Sequence, residues 1–124
     1  MPNGQVVFSS GGAYPQAVTN AVLNLLVQLI DHATTTTTGV WVQMYPFVSG
    51  SIEVTSSAGT FSVQLYGSNA ENKPADATDG AVLGSAISST GITFATYPVR
   101  WIKAKVASLS GGGNVSVMAN FKAP

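Results

Sequence analysis

Ser51-Ile52-Glu53-Val54-Thr55, then Ser56-Ser57-Ala58-Gly59, then Phe61-Ser62-Val63-Gln64-Leu65: apolar and polar residues alternate on both sides of a segment of turn composition. Alternation with period two puts successive side chains on opposite faces of an extended chain. Each flank therefore reads as a strand with one buried and one solvated face. The same grammar continues downstream. Val82-Leu83 with Ile87 and Ile92-Thr93-Phe94 are short strands around Ser88-Ser89-Thr90-Gly91. Arg100 to Val106 places Ile102, Ala104 and Val106 on one face, with Trp101, Lys103 and Lys105 on the other. Ser110-Gly111-Gly112-Gly113-Asn114 has hairpin-loop composition, and Val115, Val117, Ala119 and Phe121 point inward from a last strand. Between these strands the polar segment Ser68 to Gly80 breaks the pattern and reads as a surface loop.

Upstream, Val40-Trp41-Val42-Gln43-Met44-Tyr45 is aromatic and β-branched, closed by Pro46 and the Ser49-Gly50 pair. Residues 16–33 carry two patterns at once. Val18, Val22, Leu25, Leu29 and His32 fit a helical stripe, while Leu25, Val27 and Leu29 alternate as a strand does. The threonine run Thr34 to Thr38 that follows prefers extended backbone. We read a helical turn around 16–24 and then a strand, with helix or strand left open for 16–30. The first twenty residues, with Gly4, Ser9-Ser10-Gly11-Gly12 and Tyr14-Pro15 around Val6-Val7-Phe8, read as an extended arm or as an unordered terminus. The expected organisation is thus an arm over 1–20 and one all-β domain over 21–124. Short strands at regular spacing point to an antiparallel β-sandwich, with a jelly roll leading and an immunoglobulin-like sandwich second.

Composition narrows the class of function. Charged residues make up 8% of the 124-residue chain and hydrophobic ones 45%, against roughly 25% charged in an average soluble domain. Disordered chains combine low hydrophobicity with high net charge, so this chain folds. Its formal net charge is zero, which leaves little electrostatic protection against association. Cysteine is absent, which removes disulfides and thiolate metal sites. Met1-Pro2-Asn3-Gly4 does not open a secretory signal, and Ala21 to Ile30 is too short to cross a bilayer. The expectation is a protein made in a cytoplasm, with no membrane partner.

Residues suited to catalysis are few. The carboxylates are Asp31, Glu53, Glu71, Asp76 and Asp79, and the lone histidine is His32. On a regular strand His32 and Asp31 point to opposite faces, and no Gly-x-Ser-x-Gly elbow or phosphate-binding loop accompanies them. An enzyme and a bound cofactor are therefore not expected. Glu71, Asn72, Asp76 and Asp79 gather oxygen ligands in one loop, but their spacing matches no calcium loop and Lys73 sits among them. No metal site is expected there.

Arg100, Lys103, Lys105 and Lys122 concentrate the basic charge on the last two strands. With Trp101 they form an edge that suits protein docking better than nucleic acid, whose binders carry a strongly basic patch. The acidic loop, with Glu71, Asp76 and Asp79, is its electrostatic complement. The two are expected to meet between neighbouring subunits. Trp101, Trp41 or Tyr66 suit a sugar-stacking platform, an interface anchor, or the rim of the core.

Phe61-Ser62-Val63-Gln64-Leu65-Tyr66-Gly67-Ser68-Asn69 resembles the strand and Gly-Ser-Asn element of small tailed-bacteriophage virion proteins. Tyr97-Pro98-Val99-Arg100-Trp101-Ile102-Lys103-Ala104 resembles their aromatic-plus-arginine strand. Ser108 to Gly113 with Val115-Ser116-Val117 resembles their Gly/Ser hairpin, and Leu29-Ile30-Asp31 through Gly39-Val40-Trp41 their first-strand region. The likeness spans about residues 25–122 and departs at Glu71-Asn72-Lys73-Pro74, where many relatives have Asp-Gly followed by an aromatic. It implies a β-sandwich that decorates or cements a capsid, bound to the major capsid protein as a homo-oligomer, dimer or trimer, on the virion surface. A tail or fibre module that binds host glycan is the alternative. Val6, Val7, Phe8 and Tyr14 of the arm, Glu71, Asp76 and Asp79, and Arg100, Trp101, Lys103 and Lys105 are the expected protein-interface residues.

Overall fold

The structure, a computed structural model, describes residues 24–47 and 49–122. The expected arm, with Val6, Val7, Phe8 and Tyr14, and nearly all of the expected helical turn lie outside these residues. What is described is all-β: β1 (Asn24–Ala33), β2 (Thr37–Thr38), β3 (Val42–Gln43), β4 (Ser49–Ser56), β5 (Thr60–Ser68), β6 (Ala81–Ile87), β7 (Gly91–Thr96), β8 (Trp101–Ser110) and β9 (Val115–Lys122).

The strands form two antiparallel sheets, ordered β1-β9-β4-β7 and β2-β8-β5-β6, with β3 also paired to β8. Every connection except β2–β3 and β5–β6 changes sheet, so the chain wraps around the sandwich as a jelly roll. The alternating stretch read from the sequence forms β4 and β5, which lie in opposite sheets on either side of the turn. Their inward residues Ile52, Val54, Phe61, Val63 and Leu65 are buried, and face Ile102, Ala104 and Val106 of β8 and Val115, Val117, Ala119 and Phe121 of β9. Leu29, Ile30 and Met44 complete this core. Tyr97 tilts against Phe121, with ring centroids 6.3 Å apart, a favourable aromatic geometry.

Two segments differ from expectation. Within Val40–Tyr45 only Val42 and Gln43 form strand. The segment follows the edge of β8 through separate bonds, Gly39 N–H to Ala104 O at 2.9 Å and Met44 N–H to Arg100 O at 2.6 Å. Trp41 N–H leaves the ladder for the Asp76 carboxylate. In β1 the register with β9 shifts between Gln28 and Ile30 and again between Ile30 and Ala33. His32 there takes a left-handed φ of 51°, which breaks the strand alternation. Its Nδ1 lies 2.6 Å from Asp31 Oδ1, so the two neighbours share a side rather than facing apart. Both are largely exposed, and Ser116 Oγ accepts the His32 main-chain N–H at 2.9 Å.

Candidate protein-interaction surface

Two surfaces bear on function: the outer face of the β8 sheet, and the flank where β6 and β7 form the sheet edges.

On the β8 sheet, register places Trp101 beside Ser68, Lys103 beside Tyr66, and Lys105 beside Gln64. These outward side chains are roofed by the loop 69–80. Lys103 is fully buried beneath it. Its ammonium donates to Thr78 O at 2.7 Å and Asp76 O at 3.0 Å, and lies 3.4 Å from Asp79 Oδ1. It also sits 5.1 Å from the Trp41 ring centre and 5.5 Å from that of Tyr66, within cation–π range. The buried charge is thus solvated by protein, the condition under which a lysine is tolerated in an interior.

The loop is held at further points. Trp41 Nε1–H donates to Ala75 O at 3.0 Å, and Trp101 Nε1–H to Ala70 O at 2.9 Å. Ser68 Oγ accepts the Ala70 N–H, and Asn69 Oδ1 accepts the Arg100 N–H, both at 3.1 Å. The Gly67-Ser68-Asn69 element therefore ties the start of the loop to the strand entry at Arg100. Lys105 reaches Asp79 Oδ2 at 3.3 Å, and Lys73 reaches Asp76 Oδ1 at the same distance. The Trp41 N–H, with Lys73 and Lys103, holds the Asp76 carboxyl below its ordinary range against a partial desolvation that pushes it up. Lys105 chiefly, then Lys103, does the same for Asp79.

This arrangement revises two expectations. The acidic loop and the basic strand, expected to meet between subunits, meet within one chain. Lys103, expected on a docking edge, is withdrawn from the surface because the loop carbonyls need a buried donor. Trp41 is buried and is not a platform for a sugar. Arg100 and Glu71 are exposed and Trp101 is half-buried, so these three remain at the surface. Asp76 and Asp79 commit carboxylate oxygens to Trp41 N–H and lysines. Among the described residues no group of three or more His, Asp or Glu gathers as a metal site.

The second surface was not singled out by the sequence reading. β7 and β6 are edge strands of opposite sheets and lie on the same flank. Between them runs a groove of about 410 Å³ whose lining includes Ile87, Thr93, Phe94, Ala95 and Tyr97. Phe94 is 82% exposed, Ile92 57% and Val82 61%. From Gly80 to Val99 the sequence has no Asp, Glu, Lys, Arg or His. Burial pushes the Tyr97 phenol above its ordinary value, so the run stays neutral. That uninterrupted neutral stretch was the available signal: exposed strands without charge present a surface for contact.

No family model matches this chain, and no curated protein matches it in sequence. Among solved structures, its fold is similar to the crystal structure of the SPBc2 prophage-derived protein YomS. The TM-score is 0.56 at 17% identity, over 78% of this chain and 92% of that one. The likeness supports the sandwich fold.

Proposed function

We propose that this chain is a structural protein of a bacteriophage particle that works by binding other protein, as a decoration or cement subunit on the major capsid protein shell. The observation that carries the reading is the neutral, apolar β6–β7 flank with Phe94 82% exposed. A patch of this kind on a small domain marks a protein contact more readily than a solvated face. The fold likeness to a prophage-derived protein and the phage-like sequence pattern agree with that setting. Three supports of an adhesive role lie in different parts of the chain: the flank, the exposed Arg100 beside the half-buried Trp101, and the apolar Val6-Val7-Phe8 segment.

The test is co-sedimentation of purified protein with capsids of the phage that encodes it. Saturable binding is expected, weakened at least tenfold by Phe94→Lys. Capsids that bind no protein at any concentration would remove the cement role. Removing residues 1–15 reports separately on the arm, and undiminished binding would exclude it from the contact. The glycan-binding alternative keeps Trp101 as its aromatic face. A glycan array that gives a specific sugar signal, lost with Trp101→Ala, would place the protein in a tail or fibre instead.

A further inference from the structure

The described residues present four sheet edges, and three of them are blunted against pairing. β1 carries two register shifts, the exposed Asp31 and the left-handed His32. The edge beside β8 is filled by β2 and β3, two residues each. β6 has an irregular register with β5 between Val63 and Leu65, and Gly84 there has φ 70°. Short strands, bulges and charges are the usual devices that stop an edge from recruiting another strand. β7 has none of them. It pairs with β4 through six consecutive residues, Gly91 to Thr96, without a shift, and it contains no charge and no proline.

We infer that β7 is a self-association edge, pairing antiparallel with β7 of a second copy about a two-fold axis through Thr93. This deepens the reading of the flank as a protein-contact surface and rests on it. A two-fold axis perpendicular to two paired copies of a strand makes them antiparallel, and residues then pair so that i meets j and j meets i. With Thr93 opposite its own copy, Ile92 falls opposite Phe94 and Phe94 opposite Ile92. Both lie on the outer face, since their partners on β4 are Glu53 and Ser51, which alternate with the inward Ile52 and Val54. The two most exposed apolar side chains of β7 thus cover each other twice, as aromatic–β-branched cross-strand pairs. Shifting the axis to Phe94 would leave Ile92 opposite the exposed Thr96.

Charge selects a second copy as the occupant. An isologous contact places like residues near like, so ionisable groups near its axis repel, and the run Gly80 to Val99 has none of the charged types. The one charged residue of β4 is Glu53, one strand in from β7. Its copy would be about 16 Å away, across three strand spacings and two residues along the strand, beyond the screening length of roughly 8–10 Å. The result is one continuous sheet, β1-β9-β4-β7 and its mirror order in the second copy.

The full-length chain is tested by sedimentation equilibrium and by thiol cross-linking. The unmodified protein is expected to be dimeric at micromolar concentration. Ile92→Lys with Phe94→Lys should raise the dissociation constant at least a hundredfold while leaving the far-ultraviolet circular dichroism unchanged, because both side chains are exposed. The chain has no cysteine of its own, so Thr93→Cys should give a covalent dimer under mild oxidation. Ala95→Cys, on the same strand face but displaced from the axis, should not. A protein monomeric at all accessible concentrations would overturn the inference. So would equal cross-linking at both positions, or a dimer that survives the lysine pair and is lost on removing residues 1–15. Capsid binding reduced by Phe94→Lys in a strictly monomeric protein would leave the contact surface standing and reject only the second copy as its occupant.

Discussion

Lys103 has no solvent exposure, and its ammonium is enclosed by two loop carbonyls, an aspartate and two aromatic faces. Removing one member of such a set leaves the others buried and unmatched, which is where the energy lies. Lys103→Met keeps the stem volume but strands Asp76 O and Thr78 O. A loss of about 2–4 kcal/mol in denaturant unfolding is expected, with faster amide exchange over residues 75–80. A stability change below roughly 0.5 kcal/mol, the size of an ordinary surface substitution, would refute the clamp. Asp76 and Asp79 make a second prediction. Their pKa values are lowered by the Trp41 N–H and the lysines, so in the folded state they release protons more readily than in the unfolded chain. Their contribution is complete above the unfolded value near 4 and is lost as pH falls through the folded values. The urea midpoint should hold steady from about pH 7 to 5 and decline below about 4. Asp79→Asn should shallow that decline. The interior position of Lys103 is not legible from sequence, because alternation puts it on the solvent face and a loop docking on that face leaves no local pattern.

At the scale of elements, β4, β5, β8 and β9 were legible because each has one core face and one polar face, and period two survives in the sequence. Val40–Tyr45 misled for a physical reason. Its aromatic and β-branched residues suit a strand, yet Trp41 pairs with the loop rather than with a neighbouring strand. The polar segment expected over Ser68 to Gly80 is a surface connection from Asn69 onward, with Ser68 closing β5. Much of its anchorage leaves no sequence signature, because Trp41, Trp101 and Lys103 donate to main-chain carbonyls of the loop. β6 and β7 were found as strands, but their joint exposure follows from both being sheet edges, a long-range property. The close approach of β4 to β9 supplies an element-level prediction. A Cβ on Gly50 would overlap Asn120 O and come within 2.7 Å of Phe121 Cα. Gly50→Ala should therefore displace β4 from β9, lower the thermal midpoint by at least ~10 °C, and perturb the amide resonances of Asn120 and Phe121. A variant of unchanged stability would contradict that packing.

For the molecule as a whole, the number and spacing of strands announced a sandwich, while strand order was fixed by contacts between residues far apart in the chain. Strand number and spacing suit both a jelly roll and an immunoglobulin-like sandwich, and the pairing selects the jelly roll. Such non-local pairing makes folding slow, since loop-closure entropy is spent before the contacts form. Stopped-flow refolding is expected on the millisecond-to-second scale. A microsecond phase carrying the full amplitude would be incompatible with this topology.

The pairing of Asn24 with Lys122 brings the earliest described strand against the last one. Among the described strands, β9 alone bridges β1 and β4. During synthesis, then, β1 has no sheet to join until β9 has left the ribosome, and β4 and β7 must wait with the neighbouring position vacant. The domain completes its fold only after translation of that strand. Until then the nascent chain exposes apolar strands that a chaperone has reason to shield.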